Sequence, residues 1–342
     1  MKKLAIALLA VLAAAGLVAL GVYAWWSAAL ETFARTPFGA EGEKVVEVPP
    51  GAHLKEVAHL LFEKGVISDE TRFGYLARRL KKDRQIRSGE YGFEGALLPE
   101  KVIETLALGR VKLHHCTVPE GLRMDEIAPL LEACHFGHGA ALRALLRDGA
   151  FAHKLGVHAE NLEGYLFPDT YAFPKNPKPE AVLAKMVSRF FEEFKKAEAH
   201  RKSGVGLDAH QAATLASIVE KETGAAQERA RISCVFHNRL HRNMKLETDP
   251  TAIYAKILRT GSFDGNLRRD DLEFHHPYNT YTVKGLPPGP IANAGAAALQ
   301  AALNPIDCDD LFFVACGGGP HRFCPDYECH KKFVDRCQLH KP

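Results

Sequence analysis

The chain has 342 residues, 46% of them hydrophobic, which gives room for two or three domains with ordinary cores. Its 44 basic and 41 acidic side chains leave a formal net charge of +3. That near balance makes no electrostatic case for nucleic acid as a main partner, because a phosphate-binding surface shows as a basic excess.

Lys2 and Lys3 precede an uncharged apolar run from Leu4 to Trp26. As a helix, such a run rises roughly 34 Å, enough to cross a hydrocarbon core of about 30 Å. A cleaved signal peptide has a shorter apolar core that ends at a small-residue site. Ala13, Ala14 and Ala15 imitate such a site, yet the apolar run continues well beyond them. Tyr23, Trp25 and Trp26 suit the far interface, and the lysines the cytoplasmic side. The expectation is a cytoplasmic tail over 1–3, an uncleaved single-pass anchor over 4–26, a juxtamembrane linker over 27–43 and an exported body.

Next comes a duplication. "VPPGAHLKEVAHLL" from Val48 is matched by "VPEGLRMDEIAPLL" from Val118, 70 positions later. Each copy follows a β-prone piece, "KVVE" or "HHCT", and each reads as a forced turn opening an amphipathic helix. Between the copies the pattern predicts a helix from Asp69 to Lys81, a strand at "GEYGF" and a helix opened by Pro99. The copies are either plain βα packing units or a module that holds a polymer outside the membrane.

From about Asn161 the character changes to the aromatic, proline-rich "LEGYLFPDTYAFPKNPKP". A long helix from Glu180 to about His200 follows, then a break at "RKSGVG", then helices at "LASIVEKET" and "QERARISCVFHNRLHRN". Beyond "TDPTAIYA" and "HPYNTYTVKGLPPGPIANAG" lie an alanine-rich helix and a buried strand, "LFFVA". Many helices and few strands place the body in the α+β class.

Of eight cysteines, five fall late: Cys308, Cys316, Cys324, Cys329 and Cys337. With His321 and His330 they invite a zinc reading, but no Cys-x2-Cys pair recurs at finger or ribbon distance. In an oxidising compartment one or two disulfides explain them better, with free thiols and metal as the other readings. The pairing is not deducible. No P-loop, His-Glu-x-x-His or Gly-x-Ser-x-Gly motif occurs.

The chemistry centres on "LASIVEKETGA", residues 215–225. At 100° per residue, Leu215, Ile218 and Val219 form one stripe that Glu222 extends, while Glu220 points about 200° away. Glu222 should therefore face the packed side, and Glu220 water or a polar partner. Burial raises a carboxyl pKa, and a general acid must reach its substrate still protonated. The competing reading is a structural ion pair with Arg229, Arg231 or Arg239.

Six ordered stretches, "LEGYLFPDTY", "LASIVEKET", "ERARISCVFHNRL", "LETDPTAIYA", "YNTYTVKGLPPGPIANAG" and "LFFVACGGGPHRF", make the chain resemble the YceG-like endolytic murein transglycosylases. The resemblance implies a bacterial inner-membrane anchor, a LysM-like region (44–160, containing the repeat) and a catalytic domain (161–342). That domain would cut peptidoglycan glycan strands within their length and release nascent strands near the cell-wall synthases. It also implies that Glu222 is the catalytic residue, with Glu220 in support. Asp169, Thr170, Asn238, Arg239, Thr248, Asp249, Tyr278, Asn279 and Thr280 occupy the family's polar positions, as candidates for orienting sugar or acid. Pro287, Pro288 and Pro290 read as a rigid wall. The cysteine-rich tail "CPDYECHKKF" departs from the family pattern and leaves His321 and His330 without an assigned role.

The bond implied is the β-1,4 link from N-acetylmuramic acid to N-acetylglucosamine. Glu222 would protonate the leaving oxygen and then take the proton of the muramoyl C6 hydroxyl, giving a 1,6-anhydro end. Ordinary glycosidases need two carboxylates; an internal hydroxyl lets one serve twice, with no metal or cofactor. The rivals are a non-catalytic membrane-anchored scaffold for the synthases and a muramidase-type hydrolase.

Overall fold

The computed structural model describes residues 2–317 and 320–338. It is helix-rich α+β, and it packs as two units, Met1–His114 and His115–Pro342.

The first unit holds α1 (Lys2–Arg35), β1 (Glu43–Val48), α2 (Leu54–Glu63), α3 (Glu70–Arg79), β2 (Gly89–Glu94) and α4 (Pro99–Leu108). α1 is long and apolar enough over Ile6–Arg35 to cross a membrane, and Ile6, Leu9, Leu12, Leu17 and Leu20 are exposed. The linker expected over 27–43 is helical through Arg35. The reason is packing: Leu30 and Phe33 are buried in the core of this unit, and Trp26 meets Tyr75 edge-on. Burying two such side chains contributes on the order of 3–6 kcal/mol, more than the cost of extending a helix already nucleated upstream. β1 and β2 pair antiparallel with Val46 opposite Tyr91 and Lys44 opposite Phe93. Their inward residues pack on Val57, Leu61, Phe73 and Ile103. Asp69 caps α3 by accepting from the Arg72 N–H at 2.8 Å, so the predicted helix begins one residue later.

The second unit holds β3 (His114–Thr117), α5 (Met124–Ala133), α6 (Gly139–Leu146), α7 (Gly149–Lys154), β4 (Thr170–Phe173), α8 (Pro179–Ala199) and α9 (Ala209–Glu222). A single helical turn (Ala226–Glu228) leads to α10 (Arg229–His241). Then follow α11 (Asp249–Thr260), α12 (Arg269–Glu273), α13 (Ala296–Leu303), β5 (Phe312–Val314), β6 (Arg322–Cys324) and α14 (Tyr327–Cys337). β3 pairs with β4 and β5 with β6, each as a two-stranded sheet.

Both copies of the repeat fold as strand, turn and helix, β1–α2 and β3–α5. Gly51 (φ 78°) and Gly121 (φ 77°) hold equivalent turns in the left-handed region, which explains the shared Val-Pro-x-Gly. Their strands have unrelated partners, however, and the copies fall in different units. The division at 114/115 thus cuts between them, whereas the sequence reading put a boundary at 160/161.

All eight cysteines are paired: Cys116 with Cys134, Cys234 with Cys308, Cys316 with Cys337, and Cys324 with Cys329. The late cysteines therefore form three bonds, one of them to Cys234, rather than one or two. Two tie α14 to the β5–β6 hairpin, and the third fastens α10 to the segment before β5.

Candidate active site

α9 is built to hold its last turn still. Asp208 and Gln211 form a reciprocal capping box at its start, with bonds of 2.8 and 3.1 Å. From Ala212 to Val219 every residue is buried, so the helix is wrapped on all sides and has no wet face. The hydroxyl of Ser217 accepts from the Ile291 N–H at 3.0 Å, pinning the proline-rich loop to the helix.

The two glutamates at its end meet different fates. The Glu220 side chain is 7% exposed; it pairs with Arg229 at 3.3 Å and accepts from the Gly295 N–H at 3.1 Å. Of the two alternatives expected for it, the polar partner holds and water does not. Glu222 is half-buried and lines a groove of about 370 Å³. Its carboxyl accepts a short hydrogen bond from the Thr248 hydroxyl and has no ion-pair partner among the described residues. Burial pushes its pKa up to about 7; the Thr248 bond opposes this and the nearby Asp249 adds to it. The C-terminal end of a helix is also an unfavourable place for an anion.

Thr248 and Asp249 open α11. Thr248 is itself held through its N–H by the Thr280 hydroxyl at 3.2 Å, and Thr280 is shared with Thr251 at 2.7 Å. Asp249 accepts from the Tyr281 hydroxyl at 2.7 Å, and both line the groove. Arg239 lines it too, but its guanidinium is spent on the frame: it donates to the carbonyls of Leu311 (2.7 Å) and Leu246 (2.8 Å) and lies over the Phe312 ring. The opposite wall comes from β5, the following loop and α14, through Phe312, His321, Tyr327 and His330.

Other predicted residues lie off the groove, bonded to backbone or to other side chains. Asn238 donates to the carbonyls of Cys308 and Asp310, and Asn279, fully buried, to those of Asp271, Leu272 and Phe274. Asp169 pairs with Arg189 at 2.8 Å, and the Thr170 hydroxyl bonds that of Thr117 across β3 and β4. Tyr278 packs with its ring tilted against Tyr254 at 4.9 Å and lines a separate hollow with His210 and Glu163.

Sequence reasoning missed Tyr281, His321, Glu228 and Glu163. The last is the second residue of "LEGYL" and is buried; it accepts from the Met124 N–H (3.0 Å), Asn293 (3.1 Å) and Tyr254 (3.3 Å). Burial drives its pKa up to about 8. A second hollow, about 490 Å³, is lined by Arg123, Lys221, Pro250 and Ile253; Lys221 and Pro250 are the chain neighbours of Glu222 and Asp249. No cluster of three or more His, Cys, Asp or Glu side chains among the described residues suits a metal ion.

A helix-borne carboxyl held neutral in a groove, with a second carboxylate and aromatic walls beside it, defines a candidate acid catalyst acting on a polar substrate. The YceG-like family matches residues 46–336, and the chain belongs to that family. The endolytic murein transglycosylase of Bacillus subtilis (strain 168) is 32% identical over 310 residues, 85% of this chain and 84% of its own length. That of Streptococcus pneumoniae serotype 2 is 28% identical over 312 residues, 82% of this chain and 56% of its own. A crystal structure of a YceG-like protein from Listeria monocytogenes superposes with a TM-score of 0.56 at 28% identity, covering 85% of this chain and 98% of that one.

Proposed function

We propose that the protein is an endolytic peptidoglycan lytic transglycosylase, held in the bacterial inner membrane by α1 with its N-terminus cytoplasmic and its body outside. Its two relatives are named for that activity. The observation that carries the reading is the Glu222 carboxyl, kept protonated to about pH 7 at the edge of a groove and without an ion-pair partner among the described residues. A carboxyl tuned in this way donates a proton at neutral pH, and a surface carboxylate does not.

In the reaction, Glu222 protonates the oxygen linking N-acetylmuramic acid to N-acetylglucosamine as positive charge develops at the muramoyl C1. Asp249, fixed by Tyr281, supplies negative charge beside that centre. The muramoyl C6 hydroxyl attacks C1 and gives up its proton, closing a 1,6-anhydro ring. In the simplest scheme the Glu222 carboxylate recovers that proton, so no second carboxylate need activate water. Cleavage of a nascent strand ends its elongation, which places the enzyme beside the synthases. The repeat-bearing region over 44–160 is, in this reading, LysM-like.

The test is digestion of purified peptidoglycan by the full chain and by Glu222→Gln, with the new ends identified by mass spectrometry. Anhydro-muramoyl ends from the wild type alone support the reading. Reducing ends mark a hydrolase instead. Glycan binding without cleavage by either protein marks a scaffold.

A further inference from the structure

The groove holds a second group with the form of a base. His321 sits in its wall, with its ring edge-on to Phe313 at 5.5 Å. Glu228, buried at the end of the short turn after α9, meets it twice. One carboxylate oxygen accepts the His321 backbone N–H at 2.8 Å, and the other lies 2.7 Å from Nδ1. The Thr223 hydroxyl also donates to Glu228, at 3.3 Å. Burial works against the charge on Glu228, but the His321 bonds prevail and hold its pKa below the usual value. An ionised carboxylate only accepts, so Nδ1 carries the hydrogen. In the neutral ring Nε2 is then the acceptor, and it has no hydrogen-bond partner among the described residues. A ring nitrogen fixed as an acceptor by a buried carboxylate is the arrangement that orients and strengthens an imidazole base.

His330 lines the same groove and is the useful contrast. It stacks on Phe312 at 5.2 Å, its Nδ1 is buried without a partner, and among the described residues no carboxylate bonds either nitrogen. Only one of the two histidines has the backing a base needs.

We propose that His321, backed by Glu228, holds the muramoyl C6 hydroxyl and takes its proton, and so decides that the cut strand closes on itself instead of being hydrolysed. This rests on the transglycosylase reading and assigns to His321 the second half of the step that the simplest scheme gives to Glu222. As the O6–C1 bond forms, the O6 proton passes to Nε2. The C1–O4 bond breaks with its electron pair on O4, which receives the Glu222 proton. The imidazolium, balanced by Glu228, then returns its proton to the Glu222 carboxylate through water, and both groups are restored. Remove the base, and the C6 hydroxyl loses its advantage over water at C1.

The test compares the full-length wild type with His321→Gln and Glu228→Gln in detergent, on isolated peptidoglycan. The readouts are the rate and the ratio of anhydro to reducing ends, with thermal unfolding to report the fold. His321→Gln should slow cleavage roughly 10²-fold and shift the remaining ends toward reducing sugars. Glu228→Gln should move the ratio the same way but less. An unchanged ratio in His321→Gln, whether or not the rate falls, overturns the proposal, because a merely structural loss lowers the rate and leaves the partition alone. Failure of the functional reading looks different: the wild type then makes no anhydro ends, or Glu222→Gln cuts as well as the wild type does.

Discussion

Glu220 and Glu222 lie two residues apart on one rigid helix, yet their surroundings ask opposite things of a carboxyl. Glu220 has a guanidinium and a backbone N–H, the partners of a permanent anion. Glu222 has one hydroxyl and a neighbouring carboxylate, the surroundings of an acid kept neutral. The difference comes from what arrives at the helix end, Arg229 and Gly295 on one side and the start of α11 on the other. Burial alone does not make a catalytic acid; burial without an ion-pair partner does.

The comparison predicts effects of very different size. Glu222→Gln should cost about 10²–10⁴-fold in cleavage with little change in thermal stability, since no ion pair is broken. Substantial cleavage by this variant would move the acid elsewhere. Glu220→Gln should do the reverse. It strands a buried Arg229 and should destabilise the fold by roughly 3 kcal/mol, seen in denaturant unfolding, while protein that remains folded keeps its chemistry.

Two further measurements use pH. Glu163, raised to about 8 when folded against 4.5 for an ordinary glutamate, binds its proton more tightly in the folded state. Its stabilisation is complete below about pH 4.5 and is lost as pH rises through about 8, a change of a few kcal/mol. Glu163→Gln should flatten the melting-temperature profile across that window, and an unaltered profile would remove Glu163 as its source. Thr248→Val gives the smallest effect. Losing the bond that lowers the Glu222 pKa should carry the alkaline limb of the activity profile, near pH 7 in the wild type, to higher pH. A shift toward acid would reverse the role given to Thr248.

Much of this was legible in the sequence. The apolar run, the Val-Pro-x-Gly turns, Pro99 opening α4 and the long α8 are local patterns, and local patterns fix local structure. The stripe also put Glu222 on the packed side, though it misjudged the helix as two-faced when α9 is covered all round. The motif residues could not be sorted by sequence. Asn238 and Asn279 look like sugar ligands on paper, but their amides bind backbone carbonyls, those of distant Cys308 and Asp310 for Asn238 and of the preceding 271–274 stretch for Asn279. Tyr281 and His321 reach Glu222 from segments about 60 and 100 residues downstream, an adjacency that only tertiary folding creates. Disulfide pairing was hidden for the same reason.

The burial of Leu30 and Phe33 makes α1 more than a tether. A chain trimmed to begin at Thr36 would take two side chains out of the first unit's core and leave a hole where they packed. Soluble forms should therefore start ahead of Trp26 rather than after Arg35. Because α1 is unbroken from its apolar stretch to Arg35, with the membrane anchoring proposed above any tilt of that stretch would be carried to Leu30 and Phe33 with no slack segment between.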